Sequence, residues 1–171
     1  MDVAKGYFDN PTCGRLTFKE VIDEIINYIG ERPGKEYDVV VGCDSSSDQD
    51  PCFPVAIVVL RKGHGGRFFL RKIRFSHEEN KRFVNWKMRI LREVMLSCEL
   101  ALCLREKLEE KIMEIEEIPN YEFKYIHADI GHNGATKEMI KEVTGLIRGN
   151  GFEPMIKPES YVASGVADKF C

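Results

Sequence analysis

Two aspartates in the sequence come directly after apolar stretches that are typical of buried strands. Asp44 follows the run "VVVGC" (39–43), and Asp129 follows "YIHA" (125–128). An aspartate at such a position can cap a turn, because its side chain accepts hydrogen bonds from nearby backbone N–H groups. It can also bind a metal ion, because Mg²⁺ and Mn²⁺ prefer oxygen ligands. Neither stretch decides between these two interpretations on its own.

Two further acids lie in predicted helices. At about 100° per residue, Glu93 falls on the flank of an apolar face beside Ser97 and Leu100, whereas Glu99 falls on the opposite, polar face. A carboxylate on an apolar flank is costly unless a cation or a hydrogen-bond donor compensates it, although a glutamate at the periphery could also reach water. Asp168 lies near the C-terminal end of the last predicted helix, where the helix dipole disfavours an acid, although a solvent-exposed aspartate there would be harmless.

If folding brings Asp44, Glu93, Asp129 and Asp168 together, the four carboxylates repel one another unless cations are present. Mg²⁺ or Mn²⁺ would supply the missing positive charge. Two such ions about 4 Å apart can activate a water molecule and stabilise the leaving oxygen during phosphodiester cleavage. The four acids therefore form the candidate catalytic and metal-binding set.

Polar residues close to these acids are candidates for binding substrate. Ser45 and Ser46 could orient the preceding aspartate or contact a phosphate, but turn capping explains them equally well. His127 and His132 lie near the second strand-terminal aspartate, and either could assist proton transfer near neutral pH. Lys157 could contact a phosphate group or pair with one of the acids.

Charge is distributed unevenly along the chain. The 171 residues carry a formal net charge of −3. Residues 61–92 contain eleven Lys or Arg and two Glu, so this segment carries +9 and the remainder carries −12. Such asymmetry favours a positive surface beside an acidic one, as a polyanion-binding protein with a metal pocket would have. The alternative is that charged residues on amphipathic strands simply face water.

Composition excludes several classes of protein. With 43% hydrophobic and 31% charged residues, the length suits one globular domain, residues 1–171. The sequence lacks an apolar run of about 18 residues, which argues against a membrane span, and its N-terminus does not resemble a signal peptide. None of the six cysteines forms a C-x-x-C pair, which disfavours a zinc site. We therefore predict a reduced, cytoplasmic protein.

The hydrophobic pattern predicts an α/β fold that opens with a helix over about residues 17–30, marked by the capping-box residues Thr17 and Glu20. A meander of three antiparallel strands follows, and then helices alternate with two more strands. The predicted strands begin at Tyr37, Phe53, Arg67, Tyr121 and Phe152, and the later helices span about Val84–Ile115, Thr136–Arg148 and 158–170. Helical crossovers between the first, fourth and fifth strands predict a mixed five-stranded sheet, three strands antiparallel and two parallel, flanked by helices.

This topology predicts where the acids meet. If the first and fourth strands are neighbours, Asp44 and Asp129 emerge at the same edge of the sheet. Open α/β sheets place their ligand sites at that edge.

The pattern resembles the ribonuclease H-like fold, in which catalytic acids come from the first strand, the first core helix, the fourth strand and the last helix. Asp44, Glu93, Asp129 and Asp168 stand in these four places in that order. More narrowly, the chain resembles the YkuK-type family, a ribonuclease H-like group without an assigned function. The motifs that carry the resemblance are "VGCDSSS" (41–47), "HADIGHNGAT" (127–136), "KPES" (157–160) and "GVADKF" (165–170).

The resemblance implies a metal-dependent nuclease that cleaves RNA, an RNA–DNA hybrid or DNA, with Mg²⁺ or Mn²⁺ held by the four acids. A non-catalytic nucleic-acid-binding domain of the same fold is the alternative. A von Willebrand A-type adhesion module is disfavoured, because Asp48 stands where its D-x-S-x-S pattern requires a second serine. The sequence does not specify an oligomeric state.

Overall fold

The computed structural model describes residues 2–46, 50–116, 119–162 and 165–166. Within these ranges eight strands form one sheet. The strands are β1 (Tyr7–Asn10), β2 (Gly14–Thr17), β3 (Tyr37–Cys43), β4 (Cys52–Arg61), β5 (Gly66–Arg74), β6 (Tyr121–Glu122), β7 (Tyr125–His127) and β8 (Glu153–Met155). The helices are α1 (Phe18–Gly30), α2 (His77–Asn80), α3 (Trp86–Ile112) and α4 (Ile140–Gly149), with 3₁₀ turns at Lys81–Val84 and Ala135–Met139.

The sheet has the mixed topology that the sequence predicts. Its order is β2-β1-β5-β4-β3-β7-β8, and the short β6 also pairs with β3. β3, β4 and β5 form the antiparallel meander, whereas β7 runs parallel to β3 and β8 runs parallel to β7. The two parallel pairings follow from the helical crossovers, since a chain that returns through a helix re-enters the sheet in the same direction. The predicted α/β fold class is confirmed.

The sheet is larger than the predicted five strands. β1 and β2 form an N-terminal hairpin, and β1 extends the sheet beyond β5 through the pairing of Asp9 with Leu70. Each strand of this hairpin has only four residues, which is too short to give a clear alternation of apolar and polar residues. The predicted fourth strand is divided into β6 and β7.

The long helix begins later and ends earlier than predicted. Asn85 is its N-cap, and the Asn85 side chain accepts a hydrogen bond from the backbone N–H of Lys87 at 3.0 Å. The preceding segment forms the separate short helix α2, whose capping box joins Ser76 and Glu79. The predicted capping box of α1, between Thr17 and Glu20, is present. Side-chain caps therefore set where both long helices begin.

Helices cover one face of the sheet. Leu96, Leu100 and Leu104 of α3 are fully buried in the larger core, together with Ile25 of α1 and Val41 of β3. On the opposite face a smaller apolar cluster contains buried residues of the three meander strands and Val162. Both faces of β3 are therefore covered, which explains its nearly continuous apolar sequence.

The cysteines differ in part from the prediction of a fully reduced protein. Cys13, Cys43, Cys98 and Cys103 carry free thiols, but Cys52 is disulfide-bonded. Sequence spacing detects only local motifs such as C-x-x-C, and therefore could not predict this bond. The cytoplasmic location stays a prediction.

None of the helices in the described ranges combines the length and apolarity needed to cross a bilayer.

Candidate metal centre

The register of two parallel strands brings Asp44 and Asp129 to one edge of the sheet. Gly42 of β3 is the partner of His127 of β7, and each aspartate follows its strand residue by two positions. The backbone N–H of Ala128 still donates to Met155 at 3.0 Å, so the sheet geometry continues past β7. Both aspartates therefore follow the carboxyl ends of two neighbouring parallel strands.

Glu93 of α3 reaches the same edge through Ser45. The hydroxyl of Ser45 donates to Glu93 Oε1 at 2.5 Å, and the Ser45 backbone N–H donates to the same oxygen at 3.1 Å. Glu93 is only 7% exposed. Burial raises the pKa of its carboxyl group to about 8, the bonds from Ser45 oppose this shift, and the negative charge of Asp44 adds to it. Asp44 and Glu93 therefore interact electrostatically.

The structure places Glu93 and Glu99 on the helix faces that the sequence predicts. Glu99 is partly exposed and lies 3.5 Å from Arg92, so a neighbouring cation on the polar face compensates its charge. Glu93 is bound by Ser45 instead. Of the two acids, only Glu93 points towards the end of β3.

Asp129 forms an ion pair with Lys157. The Lys157 ammonium lies 2.9 Å from Asp129 Oδ2, and the aspartate side chain is 20% exposed. The other oxygen, Asp129 Oδ1, is buried and has no hydrogen-bond partner among the described residues. Of the two roles predicted for Lys157, pairing with an acid is the one observed here.

The two histidines near Asp129 have different environments. His127 is buried, and its Nδ1 accepts hydrogen bonds from the backbone N–H groups of Tyr161 at 3.1 Å and Val162 at 3.3 Å. Burial lowers the pKa of His127 to about 4, so the ring is neutral at physiological pH. The expectation that His127 could transfer protons near neutral pH is therefore wrong. His132 is exposed, and its predicted role stays a prediction.

The remaining predicted site residues are only partly accounted for. Ser46 shapes the edge, because its backbone N–H donates to the carbonyl of Cys52 and its hydroxyl accepts from the Cys52 N–H, both at 3.2 Å. Substrate binding by Ser45 and Ser46 stays a prediction. Asp168 lies outside the described residues. Of the four predicted acids, Asp44, Glu93 and Asp129 lie within the described residues, and the structure shows an electrostatic interaction between Asp44 and Glu93.

The donor atoms suit a hard divalent cation, although the described residues do not yet form a complete metal site. No group of three or more His, Cys, Asp or Glu side chains in residues 2–46, 50–116, 119–162 and 165–166 is arranged to hold a metal ion. Lys157 occupies one oxygen of Asp129. The unpartnered Oδ1 of Asp129 and the buried Glu93 are nevertheless the kinds of oxygen ligand that Mg²⁺ and Mn²⁺ prefer.

The basic segment, residues 61–92, offers a smaller free positive surface than its composition suggests. Arg61 is 6% exposed and donates to Glu31 and to the Tyr37 hydroxyl, both at 2.9 Å. Six of the eleven basic residues form ion pairs with acids: Arg61, Lys62, Arg67, Lys81, Lys87 and Arg92. Arg71 donates to the carbonyl of Val3. Among the described residues of this segment, those without an ion pair are Arg71, Lys72, Arg74, Arg82 and Arg89.

Arg89 is a site residue that was not singled out from the sequence. Its positive charge lowers the pKa of Glu93, opposing the effect of burial. The two residues are four positions apart in α3, a spacing that places side chains on neighbouring parts of one helix face. The i, i+4 spacing of Arg89 and Glu93 is the sequence feature that could have predicted this interaction.

Comparison with known proteins agrees with the resemblance that the motifs indicate. A family model described as Ribonuclease H-like matches residues 20–171. The chain is 28% identical over 172 residues to the uncharacterized protein YkuK of Bacillus subtilis (strain 168), and the match covers 95% of each chain. No solved structure gives a significant match.

Proposed function

We propose that this chain, which belongs to the ribonuclease H-like family, is a metal-dependent nuclease. Membership in this family suggests a nuclease or a nucleic-acid-binding role, and the fold is commonly associated with divalent metal ions. The proposed substrate is RNA, an RNA–DNA hybrid or DNA. The proposed ligands of Mg²⁺ or Mn²⁺ are Asp44, Glu93, Asp129 and Asp168.

The observation that carries this proposal is the burial of Glu93 beside Asp44. Glu93 is 7% exposed, and its pKa is raised to about 8. A buried carboxylate does not stabilise a fold unless its charge is compensated. A divalent cation at the carboxylate edge would provide that compensation and favour the ionised form of Glu93. The unpartnered Oδ1 of Asp129 supports the same interpretation.

The side chains would divide the work of catalysis among them. When bound, a divalent ion would supply the positive charge that activates water and stabilises the leaving oxygen. Ser45 fixes the position of Glu93 through two hydrogen bonds to one oxygen. His132 is exposed close in sequence to Asp129, and we propose it as a group that could accept or donate a proton. Buried His127 has no such role.

Substrate affinity would come from the basic residues that are not committed to ion pairs. Among the described residues of the basic segment these are Arg71, Lys72, Arg74, Arg82 and Arg89. Arg74 is the last residue of β5 and is the strand partner of Cys52. Cys52 is hydrogen-bonded to Ser46, which lies two residues after Asp44. A nucleic-acid backbone contacting Arg74 and Arg89 would therefore pass close to the carboxylates. Such contacts weaken as the salt concentration rises.

A non-catalytic nucleic-acid-binding domain is the second candidate. The observation that favours it is the Lys157 ammonium, which already compensates Asp129. The described carboxylates also do not form a three-ligand metal site. A binding domain would retain affinity for nucleic acid without needing a divalent ion.

A cleavage assay separates the two candidates. Labelled RNA, hybrid and DNA are incubated with the protein in Mn²⁺, Mg²⁺ or a chelator, alongside Asp44→Asn. Asp38→Asn is the matched control, since Asp38 lies at the other end of β3 and pairs with Lys62 at 3.4 Å. Metal-dependent cleavage that is lost in Asp44→Asn and retained in Asp38→Asn supports the nuclease. Binding without cleavage under every condition supports the binding domain.

A further inference from the structure

The lysine at the carboxylate edge is held in place by its backbone. The Lys157 backbone N–H donates to the carbonyl of Ile130 at 2.8 Å, which ties the segment after β8 to the segment after β7. A methyl group added at Gly131 would lie 3.1 Å from Lys157 Cβ. The lysine stem therefore lies directly against the glycine backbone, and its ammonium group reaches Asp129.

The ion pair between Lys157 and Asp129 involves only one of the two carboxylate oxygens. Lysine contacts Oδ2, whereas the buried Oδ1 has no partner among the described residues. One ammonium group balances the charge of Asp129 but does not satisfy both of its oxygens. Asp129 can therefore accept a further cation or hydrogen-bond donor through Oδ1.

We propose that Lys157 is a resident counter-cation of the carboxylate site, which occupies Asp129 in the metal-free protein and has to withdraw when a divalent ion binds. This inference rests on the proposed function, because it assigns Asp129 to the metal centre. Lysine is suited to such an exchange, since its charge sits on a flexible four-carbon stem. The Lys157 side chain is 51% exposed, which leaves space for the ammonium group to move outwards.

The exchange couples metal binding to substrate binding. An ammonium group and a divalent ion at one carboxylate repel each other, so Lys157 lowers the affinity of the empty site for metal. After withdrawal, the ammonium group is available to a phosphate oxygen of nucleic acid. Substrate that engages Lys157 therefore strengthens metal binding, and by linkage metal strengthens substrate binding to the same degree.

The test is a calorimetric titration of MnCl₂, without nucleic acid, into the wild-type protein and Lys157→Gln. Lys107→Gln is the control for net charge, because Lys107 pairs with Glu110 on the exposed side of α3. We expect Lys157→Gln to bind Mn²⁺ about tenfold more tightly than the wild type. Lys107→Gln is expected to bind with wild-type affinity.

A second variant moves the lysine without removing its charge. Gly131→Ala places a methyl group against the Lys157 stem, and is expected to tighten Mn²⁺ binding in the same direction as Lys157→Gln. A lysine that merely supports the structure of the site would give the opposite sign, with weaker Mn²⁺ binding in both variants. Thermal melts in EDTA establish that each variant is folded before the titration.

The outcomes distinguish this inference from the proposed function. If Mn²⁺ affinity in Lys157→Gln equals or falls below that of the wild type, the counter-cation role is overturned, while metal-dependent cleavage would still support the nuclease. If neither the wild type nor any variant binds Mn²⁺, the metal centre itself is contradicted, and the counter-cation role with it.

Discussion

The Ser45 hydroxyl donates a 2.5 Å hydrogen bond to Glu93 Oε1, and the Ser45 backbone N–H donates a second bond to the same oxygen. This contact joins the residue after Asp44 to the buried face of α3. It partly compensates the carboxylate, but burial still keeps the pKa of Glu93 near 8. The ionisation of Glu93 therefore depends on whether a further cation or hydrogen-bond donor compensates its charge.

Glu93→Gln should change how stability depends on pH. In the folded protein the pKa of Glu93 is about 8, against an ordinary value of 4.5. The folded state therefore keeps a proton that the unfolded state releases, and wild-type stability falls as pH rises from about 4.5 to 8. Glutamine cannot ionise, so the variant should be more stable than the wild type at pH 9 by on the order of 1–3 kcal/mol.

Urea denaturation at pH 5, 7 and 9 in EDTA measures this difference. Glu99→Gln is the matched control, because Glu99 lies on the partly exposed face of α3 beside Arg92. Parallel stability profiles for the wild type and Glu93→Gln would show that Glu93 is not a buried titrating group.

Ser45→Ala should destabilise the protein by about 1–2 kcal/mol at pH 9. The variant loses the hydroxyl bond to the ionised form of Glu93 but keeps the bond from the backbone N–H. The destabilisation should become smaller towards pH 5, where Glu93 is protonated in both the wild type and Ser45→Ala. A destabilisation that is constant across this pH range, measured by the same denaturation series, would assign Ser45 a role independent of the charge of Glu93.

His127 should remain neutral down to acidic pH. Its burial lowers the pKa to about 4 from an ordinary 6.5, so the unfolded state binds a proton before the folded state does. The contribution of His127 to stability is therefore present above about pH 6.5 and is lost as pH falls towards 4. Titration of the His127 ring by NMR tests this directly. A midpoint near 6.5 would contradict the neutral, backbone-bound imidazole.

Two arginines of the basic segment should affect different properties. Arg61 is buried against Tyr37 and Glu31, so Arg61→Met should lower the free energy of unfolding by about 2 kcal/mol and leave oligonucleotide affinity unchanged. Arg89 has no ion pair within the described residues and lies near Glu93, so Arg89→Gln should weaken oligonucleotide binding severalfold without lowering the melting temperature. Fluorescence anisotropy measures oligonucleotide affinity, and thermal melts measure stability. Weaker binding by Arg61→Met together with a lower melting temperature of Arg89→Gln would contradict this assignment of the nucleic-acid-binding surface.

Periodicity and capping patterns predicted most of the fold. The apolar run of β3 and the capping box at Thr17 and Glu20 specify their elements locally, and both are present. The N-terminal hairpin was missed because its strands are short and acquire their pairing partner, β5, from a distant part of the chain. The predicted start of α3, Val84, lies before the observed N-cap Asn85, and asparagine is a favourable N-cap residue.

The candidate site was only partly predictable because its contacts are made in three dimensions. The helical position of Glu93 could be derived from sequence, since the apolar face of α3 is regular. The pairing of Lys157 with Asp129 depends on the register between β7 and β8, which local sequence does not encode. The distribution of charge in residues 61–92 was visible, but the partners that neutralise Arg61 and its neighbours lie elsewhere in the chain.

The most direct test of the central claim is to locate Mn²⁺ in crystals grown with MnCl₂, using its anomalous scattering. The account predicts a peak within coordination distance of the carboxylates of Asp44 and Asp129, which disappears in crystals of Asp129→Asn. A well-ordered structure in which these carboxylates hold no anomalous peak, at Mn²⁺ concentrations that saturate other oxygen-ligand sites, would contradict the account.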